Sequence, residues 1–344
     1  MDLHEKRRLA LLAEGSPLSP MKNPFCKPPF PYCYAPMADL TDPVFRRVLA
    51  RLDYRGIHFT EMVSAEGLVR ENLRTLRMTS TLETGAPQGI QLFGGKADVM
   101  AEAVRRVEGE GRFDFVNINM GCPKRKILQR NGGAYHLKDP EGTARWFATV
   151  RKAAQGTLTV KVRLGWEEEN ILTVARLLQE EGADALIVHF RLKDQPYRLP
   201  ADWSWAERIK PLLRIPLWGN GDIDSPETAR QRLSLGVDGV MIGRGTLREP
   251  RIFQSLQEVP LTPWEDLLAI IVEEVEREYS LEKKKRTTRL KALVRFLTSG
   301  RVEGRLMRRD LLVCEEYERI KTLFLGLPEG VITGPFLEKD ENLC

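Results

Sequence analysis

Eight short apolar runs recur along the chain, and stretches with helical periodicity lie between them. The runs cover residues 32–35, 57–60, 89–92, 114–118, 158–163, 185–189, 215–218 and 238–242. Runs this short and continuously apolar are typical of strands buried on both faces of a parallel sheet. Eight strands that alternate with helices over about 220 residues favour a closed (β/α)8 TIM barrel over an open doubly wound sheet. No GxGxxG motif follows the first run, which argues further against a dinucleotide-binding open sheet.

The strand signals stop at Pro260, and helical periodicity covers about 264–279, 287–298 and 304–325. Thr262 precedes Pro263 and Trp264, so we expect it to be the N-cap of the first of these helices, in a capping box with Glu265. The chain is therefore predicted to be an α/β protein with three parts. These are an N-terminal extension over 1–31, a barrel over 32–259 and an all-α helical domain over 260–344.

The net charge of +5 is the sum of two oppositely charged parts of the chain. Between residues 283 and 309 there are eleven Lys and Arg residues and one acid, a net of +10, so the rest of the chain carries −5. Solvated helix faces usually mix both signs of charge. This basic segment therefore favours a polyanionic partner such as nucleic acid.

The composition also excludes several classes of protein. Five cysteines in 344 residues do not make a disulfide framework, and Cys26 and Cys33 have no second pair at metal-ligand spacing, so we expect no metal. No apolar run approaches the ~20 residues of a membrane helix. The apolar stretch 9–13 is too short for the core of a signal peptide. We expect a cytoplasmic protein with no membrane association, and a monomer.

Polar residues cluster where the predicted strands end, which is where the active site of such a barrel lies. Two glycine-rich turns, 219–223 and 243–245, follow the seventh and eighth strands, and Arg244 adds a charge there. Backbone N–H groups in such turns can approach an anion closely, so the pair of turns predicts a phosphate site. The alternative is that the glycines only make tight turns.

Three further strand ends carry residues suited to chemistry. Lys161 lies inside an apolar strand and needs an anionic partner, either a bound flavin ring or a barrel carboxylate. His189 and Arg191 end the sixth strand, a pairing that favours a functional histidine over a structural one. Cys122 lies on a glycine-flanked turn after the fourth strand, where a thiol can act as nucleophile or general acid.

These residues resemble the tRNA-dihydrouridine synthases, a family of FMN-dependent enzymes that reduce specific uridines in tRNA. The resemblance rests on motifs in family order from about Tyr32 to Phe253. The motifs are APMADLTD at 35–42, NMGCP at 119–123 with Lys126 and GGA at 132–134, VKVRLG at 160–165, VHFR at 188–191, ADW at 201–203, GNGDI at 219–223 and GVMIGRG at 239–245.

The resemblance implies a role for each matching position. FMN would contact Pro36, Met37, Ala38 and Gln91, with Lys161 and His189 at its ring or ribityl edge and Asn220, Gly221, Asp222, Gly243 and Arg244 at its phosphate end. Uracil would be held by Asn119, Arg163 and Tyr197, and Cys122 would be the general acid. The helical domain would bind tRNA through Lys283, Lys284, Lys285, Arg286, Arg289, Lys291 and Arg295. Lys126 of the barrel would add a further tRNA contact. NADPH would reduce the flavin.

Three residues at two sites depart from the family pattern. Phe190 stands where the family usually has a small residue, and Tyr135 and His136 replace a small or aliphatic pair. Both departures could reshape the site, and His136 could compete with Cys122 as proton donor. Two other functions stay open from the sequence. One is a barrel flavoprotein acting on a free pyrimidine, as dihydroorotate dehydrogenases do, and the other is a non-catalytic RNA-binding relative.

Overall fold

The computed structural model describes residues 23–301 and 304–330, and eight parallel strands form its centre. The strands are β1 (Tyr32–Tyr34), β2 (His58–Ser64), β3 (Gln88–Phe93), β4 (Phe115–Met120), β5 (Thr157–Arg163), β6 (Ala185–His189), β7 (Leu217–Asn220) and β8 (Gly239–Ile242). Each lies on one of the eight predicted runs. The hydrogen-bonded order is β1-β8-β7-β6-β5-β4-β3-β2, which confirms the predicted barrel.

A tyrosine hydroxyl bridges the seam between β1 and β2, the two strands at the ends of that order. The Tyr34 hydroxyl accepts a hydrogen bond from the Phe59 backbone N–H at 2.9 Å and donates one to the Phe59 carbonyl at 2.9 Å. It thus satisfies both backbone groups of Phe59, as a neighbouring strand would. The ring of Tyr34 is fully buried, so this bridge lies in a water-poor interior where hydrogen bonds are strong.

Helices cover the outside of the barrel and form the C-terminal region. They are α1 (Pro43–Arg51), α2 (Ala65–Val69), α3 (Leu73–Arg77), α4 (Ala97–Glu110), α5 (Arg125–Leu128), α6 (Pro140–Arg151), α7 (Ile171–Glu180), α8 (Ser204–Ile209), α9 (Pro226–Leu233), α10 (Arg244–Arg248), α11 (Ile252–Leu256), α12 (Trp264–Glu278), α13 (Lys283–Leu297), α14 (Gly304–Val313) and α15 (Tyr317–Leu325). Short 3-10 helices occur at Gly133–Lys138 and Lys210–Leu212.

The structure corrects three details of the C-terminal prediction. Thr262 does not cap α12, because its hydroxyl accepts from the Gln254 amide while its own N–H donates to Gln254 Oε1. Helix α13 begins at Lys283, four residues earlier than predicted. The helix expected over 304–325 is two helices, and the break at 314–316 lets Ile320 and Phe324 of α15 be buried.

Phe25, which the sequence assigned to the N-terminal extension, belongs to the barrel. Its ring is fully buried and makes edge contacts with Phe115 and Trp218, at centroid distances of 5.1 and 5.4 Å. Phe115 is the first residue of β4 and Trp218 the second of β7, so Phe25 closes the amino-terminal end of the barrel. Residues 1–22 of the predicted extension lie outside the described residues.

One buried arginine joins the C-terminal helices to the barrel. Arg289 of α13 donates to the carboxylate of Asp42 at 2.7 Å and to the carbonyls of Asp39 and Leu40 at 3.1 and 2.8 Å. Both charged side chains are less than a tenth exposed. Asp42 also caps α1 by accepting from the Phe45 N–H. The predicted role of Arg289 as a tRNA contact is therefore corrected, because its guanidinium is buried and hydrogen-bonded to groups inside the protein.

We expect Arg289→Ala to destabilise the protein strongly, since it leaves the Asp42 carboxylate buried without its partner. Breaking a buried ion pair by removing one member costs about 3–5 kcal/mol. Urea unfolding measures the change. Arg295→Ala, at an exposed position of the same helix, is the matched control and should shift the free energy of unfolding by less than about 0.5 kcal/mol. A similar small shift for both variants would contradict this account of the joint.

Candidate active site

A cavity of about 490 Å³ lies at the carboxyl ends of the strands. This volume falls within the roughly 300–1,000 Å³ of small-molecule sites. Most residues singled out from the sequence line it: Pro36, Met37, Ala38, Asn119, Cys122, Lys161, Arg163, His189, Tyr197, Asn220, Gly221, Asp222, Gly243 and Arg244. They come from the ends of six different strands, because a parallel barrel brings all its carboxyl ends to one rim.

Gln91 is the exception among the predicted cofactor contacts. It is fully buried beneath the cavity floor and does not line it. Its amide donates to Asn117 Oδ1 at 2.7 Å and its carbonyl oxygen accepts from Asn119 Nδ2 at 2.8 Å. Gln91 therefore helps to hold Asn119 in place, and its predicted contact with the cofactor stays a prediction.

Lys161 lies on the cavity wall beside the end of β7. Its ammonium donates to Asn220 Oδ1 at 3.1 Å, and the Asn220 amide in turn donates to the Met241 carbonyl at 2.7 Å. The amide of Asn220 is thus oriented by β8, and it orients the lysine. This arrangement aims a half-buried positive charge at whatever occupies the cavity.

Arg191, which the sequence placed at a strand end without assigning it a role, organises the opposite wall. It is fully buried, and its guanidinium donates to both carboxylate oxygens of Asp222 at 2.7 Å and to the carbonyls of Tyr197 and Leu199 at 3.1 and 2.5 Å. It also donates to His189 Nε2 at 3.2 Å. The His-x-Arg spacing at the end of β6 was the available sequence signal.

The environment of His189 keeps the imidazole neutral. Burial lowers the pKa of His189 well below its usual range, and the charges of Arg163, Lys161, Arg191 and Arg244 lower it further. Because Arg191 can only donate, Nε2 of the neutral ring must accept, and the ring proton is on Nδ1. His189 is therefore a fixed hydrogen-bond donor at the cavity rather than a proton shuttle near neutral pH.

Tyr197 is packed by cations on the loop that follows β6. The guanidinium of Arg244 lies 4.1 Å from the centre of its ring, and the ring stacks on His189 at 6.0 Å. Arg163 reaches the Tyr197 hydroxyl at 3.3 Å and also donates to the carbonyls of Gly121 and Leu192. Cation–π contact and these hydrogen bonds hold the tyrosine at the cavity wall.

The turns after β7 and β8 have the open backbone that an anion site requires. Gly221 has φ of +134°, a conformation that L side chains avoid, and a Cβ there would lie 2.6 Å from the Ala201 side chain. A Cβ on Gly243 would meet no atom within 4 Å, so the space above its backbone is empty. The guanidinium of Arg244 borders this space, which suits a phosphate group.

Cys122 is presented to the cavity by a turn that the Asn119 side chain fixes. Asn119 Oδ1 accepts from the N–H groups of Gly121 and Cys122 at 3.1 and 3.0 Å. The Cys122 carbonyl accepts from the Ala134 N–H, and Gly133, with φ of +61°, lies too close to that carbonyl for any side chain. The thiol is thus held on a rigid turn at the cavity wall.

Positive charge exceeds negative charge in the cavity wall. Lys161, Arg163, Arg191, Arg198 and Arg244 line it, against the carboxylates of Asp222 and Asp224. Burying such an excess is costly unless an anion compensates it. The arrangement therefore suits a ligand with a phosphate at the β7–β8 turns and an electron-rich ring beside Lys161, with Cys122 within the same cavity to supply a proton.

The predicted tRNA contacts have different surroundings. Lys126 on α5 is exposed, as are Lys283, Lys284, Lys285 and Arg295 on α13, whereas Lys291 is half-buried. Lys285 pairs with Glu282, and Arg286 donates to the backbone carbonyls of Tyr279 and Ser280. The exposed cations available to RNA on α13 are thus centred on its first turn.

The two departures from the family pattern lie away from the cavity wall. Phe190 is fully buried and packs on Trp203 at 4.7 Å, behind Gly219. His136 is buried against Trp146 at 4.4 Å, and its Nε2 lies 3.1 Å from the Gly94 carbonyl oxygen. Neither residue lines the cavity, so the expectation that they reshape it or supply a proton finds no support.

Within 23–301 and 304–330, no group of His, Cys, Asp and Glu is arranged to hold a metal ion. No helix in the same residues is long and apolar enough to cross a membrane.

A family model described as dihydrouridine synthase (Dus) matches residues 33–301. A probable tRNA-dihydrouridine synthase 1 of Synechocystis is 40% identical over 65% of this chain and 63% of its own length. A tRNA-dihydrouridine synthase B of Pseudomonas syringae is 36% identical over 71% of this chain and 72% of its own length. Among solved structures, an old yellow enzyme from Trypanosoma cruzi is 12% identical over 67% of this chain and 89% of that chain, with a TM-score of 0.47. That score is too low to support a conclusion about this chain.

Three buried histidines should not titrate in the native protein near neutral pH. Burial lowers the pKa of His58 to about 3 and that of His136 to about 4, and His189 is lowered by burial and by its cationic neighbours. Because these values lie below the unfolded value of 6.5, the stability that they contribute is full above about pH 6.5 and is lost as the pH falls below it.

Ring-carbon NMR of the histidines measures this directly. The signals of His58, His136 and His189 should stay in their neutral positions between pH 8 and pH 5.5. A midpoint near 6.5 for His189 would show that the cations around it do not act on the ring as described.

Proposed function

The chain belongs to the dihydrouridine synthase family, and on that premise we propose that it reduces the C5–C6 double bond of uridines in tRNA, using bound FMN and NADPH as reductant. The observation that carries the proposal is a single cavity with an anion-binding half and a proton-donating half. Lys161, Asn220, Gly243 and Arg244 form the first half, and Asn119, Cys122, Arg163 and Tyr197 form the second.

The residues of the first half fit a flavin mononucleotide. The open space above Gly243 and the guanidinium of Arg244 suit its phosphate, and the ammonium of Lys161 lies where a ring that gains negative charge on reduction would be stabilised. His189 would donate its Nδ1 proton to a polar edge of the cofactor. When bound, FMN supplies the hydride that C6 of uracil requires.

The residues of the second half would complete the reduction. A hydride added at C6 leaves a negative charge that spreads over C5 and the C4 oxygen of uracil. Cys122 would transfer its thiol proton to C5 and afterwards recover a proton from solvent, so that one hydride and one proton are added in all. Arg163, held by the carbonyls of Gly121 and Leu192, would stabilise the charge before the proton arrives.

The distribution of charge along α13 supports a nucleic-acid partner. Lys283, Lys284 and Lys285 are exposed in its first turn, and the acid that precedes them, Glu282, pairs with Lys285. Cations at a helix N-terminus oppose the helix dipole, so they cost stability rather than add to it. Contacts with the phosphate backbone of a bound nucleic acid would offset this loss of stability. A uridine must leave its stack to reach a cavity in the barrel, so a flipped base is part of the proposal.

The purified protein tests this proposal in two steps. It should be yellow with flavin absorbance and release FMN on denaturation. After reduction by NADPH it should convert uridine to dihydrouridine in unmodified tRNA, as measured by mass spectrometry of nucleosides. A colourless protein that binds no added FMN, or a yellow one that reduces a free pyrimidine and leaves tRNA unchanged, would refute it.

We expect Cys122→Ala to keep FMN and tRNA binding but to lose about 10²–10⁴-fold in turnover, because only the proton donor is removed. The rate of flavin reoxidation by tRNA in single-turnover experiments measures the loss. Cys314→Ala, at a half-buried position of the C-terminal region, is the matched control and should react normally. An unchanged rate in Cys122→Ala would remove this thiol from the mechanism.

Changing Lys283, Lys284 and Lys285 together to Gln should weaken tRNA binding and flatten its salt dependence. Each phosphate contact that is lost lowers the slope of log affinity against log salt by roughly 0.7–0.9. Filter binding over a range of KCl concentrations measures both. The matched control changes Arg55, Lys152 and Arg214, exposed cations that precede β2, β5 and β7 at the other end of the barrel. Equal slopes in the wild type and the lysine variant would identify the run as a solvated face.

A further inference from the structure

A second depression, which we call the α2–α3 groove, lies beside the cavity on the barrel rim. Its volume is about 330 Å³, and it is lined by Ser64, Glu66, Arg70, Asn72, Thr75 and Arg130. Ser64 Oγ and Asn72 Oδ1 cap α2 and α3, and the buried Thr75 hydroxyl donates to Asn72 Oδ1, so the Ser64 hydroxyl proton and the Asn72 amide N–H groups are the donors offered there. The two arginines are exposed. The Arg130 and Glu66 side chains approach to 3.9 Å, beyond hydrogen-bond distance.

The groove is the direct neighbour of the candidate active site. Met62 of β2 lines the cavity, and Ser64, two residues further along the same strand, lines the groove. Ile127 of α5 packs in one small apolar cluster with Met62 and Cys122. Arg130 follows that helix directly, so a ligand in the groove lies next to the turn that presents the thiol.

The segments around the groove carry a surplus of positive charge. The cations are Arg70, Arg74, Arg77, Lys124, Arg125, Lys126 and Arg130, and the same segments, 65–77 and 124–130, contain two acids, Glu66 and Glu71. Of these acids, Glu71 pairs outward with Arg106 of α4 at 3.2 Å. This surplus lies outside the basic run at 283–309. Of its seven cations, only Lys126 was among the predicted tRNA contacts.

Helix α3, beside the groove, and α13 both contact Asp39. Arg74 of α3 reaches the Asp39 carboxylate at 3.5 Å, and the backbone carbonyl of the same residue accepts from Arg289 of α13 at 3.1 Å. Asp39 thus lies between the two helices, α3 and α13, that carry the exposed cations. Leu73, next to Arg74, is 75% exposed, an apolar side chain among cations that suits contact with a ribose or an unstacked base.

We propose that the α2–α3 groove is an RNA-binding surface of the barrel, which takes the phosphate backbone of nucleotides that flank the uridine in the cavity. The inference rests on the proposed function for the identity of the RNA. Two arginines from separate elements, surrounded by hydroxyl and amide donors, form the recognition set expected for phosphates and riboses. In this arrangement α13 and the groove bind two parts of one RNA on either side of Asp39.

The double variant Arg70→Gln/Arg130→Gln tests the proposal with the full-length holoprotein and an unmodified tRNA transcript. We expect roughly tenfold weaker binding at moderate salt and a salt slope lowered by about 1–2, as for two lost phosphate contacts. The flavin absorbance should be unchanged, because neither side chain lines the cavity. Arg55→Gln/Arg214→Gln, at the opposite end of the barrel, is the matched control and should bind like the wild type.

Unchanged affinity and slope in the groove variant would overturn the inference, as would an equal loss in the control variant. The proposed function is tested separately, by whether the wild type forms dihydrouridine. If the wild type binds tRNA through the groove but forms no dihydrouridine, the groove stands and the activity is refuted. If the wild type forms dihydrouridine and the groove variant binds normally, only the groove is refuted.

Discussion

The ion pair between Arg191 and Asp222 fixes the ends of β6 and β7 to each other, and most of the cavity depends on it. The same guanidinium holds the carbonyls of Tyr197 and Leu199 and donates to His189, so one buried charge sets the loop after β6, the tautomer of the histidine and the turn after β7. Its charge also helps to keep His189 neutral. The remaining cations of the wall then face the cavity with few carboxylates to balance them, which makes an anionic ligand the natural occupant.

The sequence was sufficient for the barrel because its signal is local. Each buried strand is a short apolar run, and the alternation with helices leaves few topologies. The strand-end positions followed from the same reasoning, which is why the side chains of Lys161, His189 and Cys122 could be placed at one rim. Their assignment to cofactor and base came from family resemblance, since spacing alone does not distinguish a flavin from another anion.

Long-range contacts account for what the sequence did not predict. Arg289 has the same composition signal as its basic neighbours on α13, and only the fold shows that it is buried against Asp42. Gln91 lies within β3, two residues before its end, and its side chain is hydrogen-bonded to the amides of Asn117 and Asn119. The capping box at Thr262 failed for the same reason, because Gln254 from α11 engages both groups that the cap would use.

The central claim is that uridines of tRNA are bound and reduced in the cavity. A map of dihydrouridine along cellular tRNA tests this claim most directly. Deleting the gene should remove dihydrouridine from one or more tRNA positions. The wild-type gene should restore the modification and the Cys122→Ala form should not. Full dihydrouridine content at every position in the deletion strain would contradict the account.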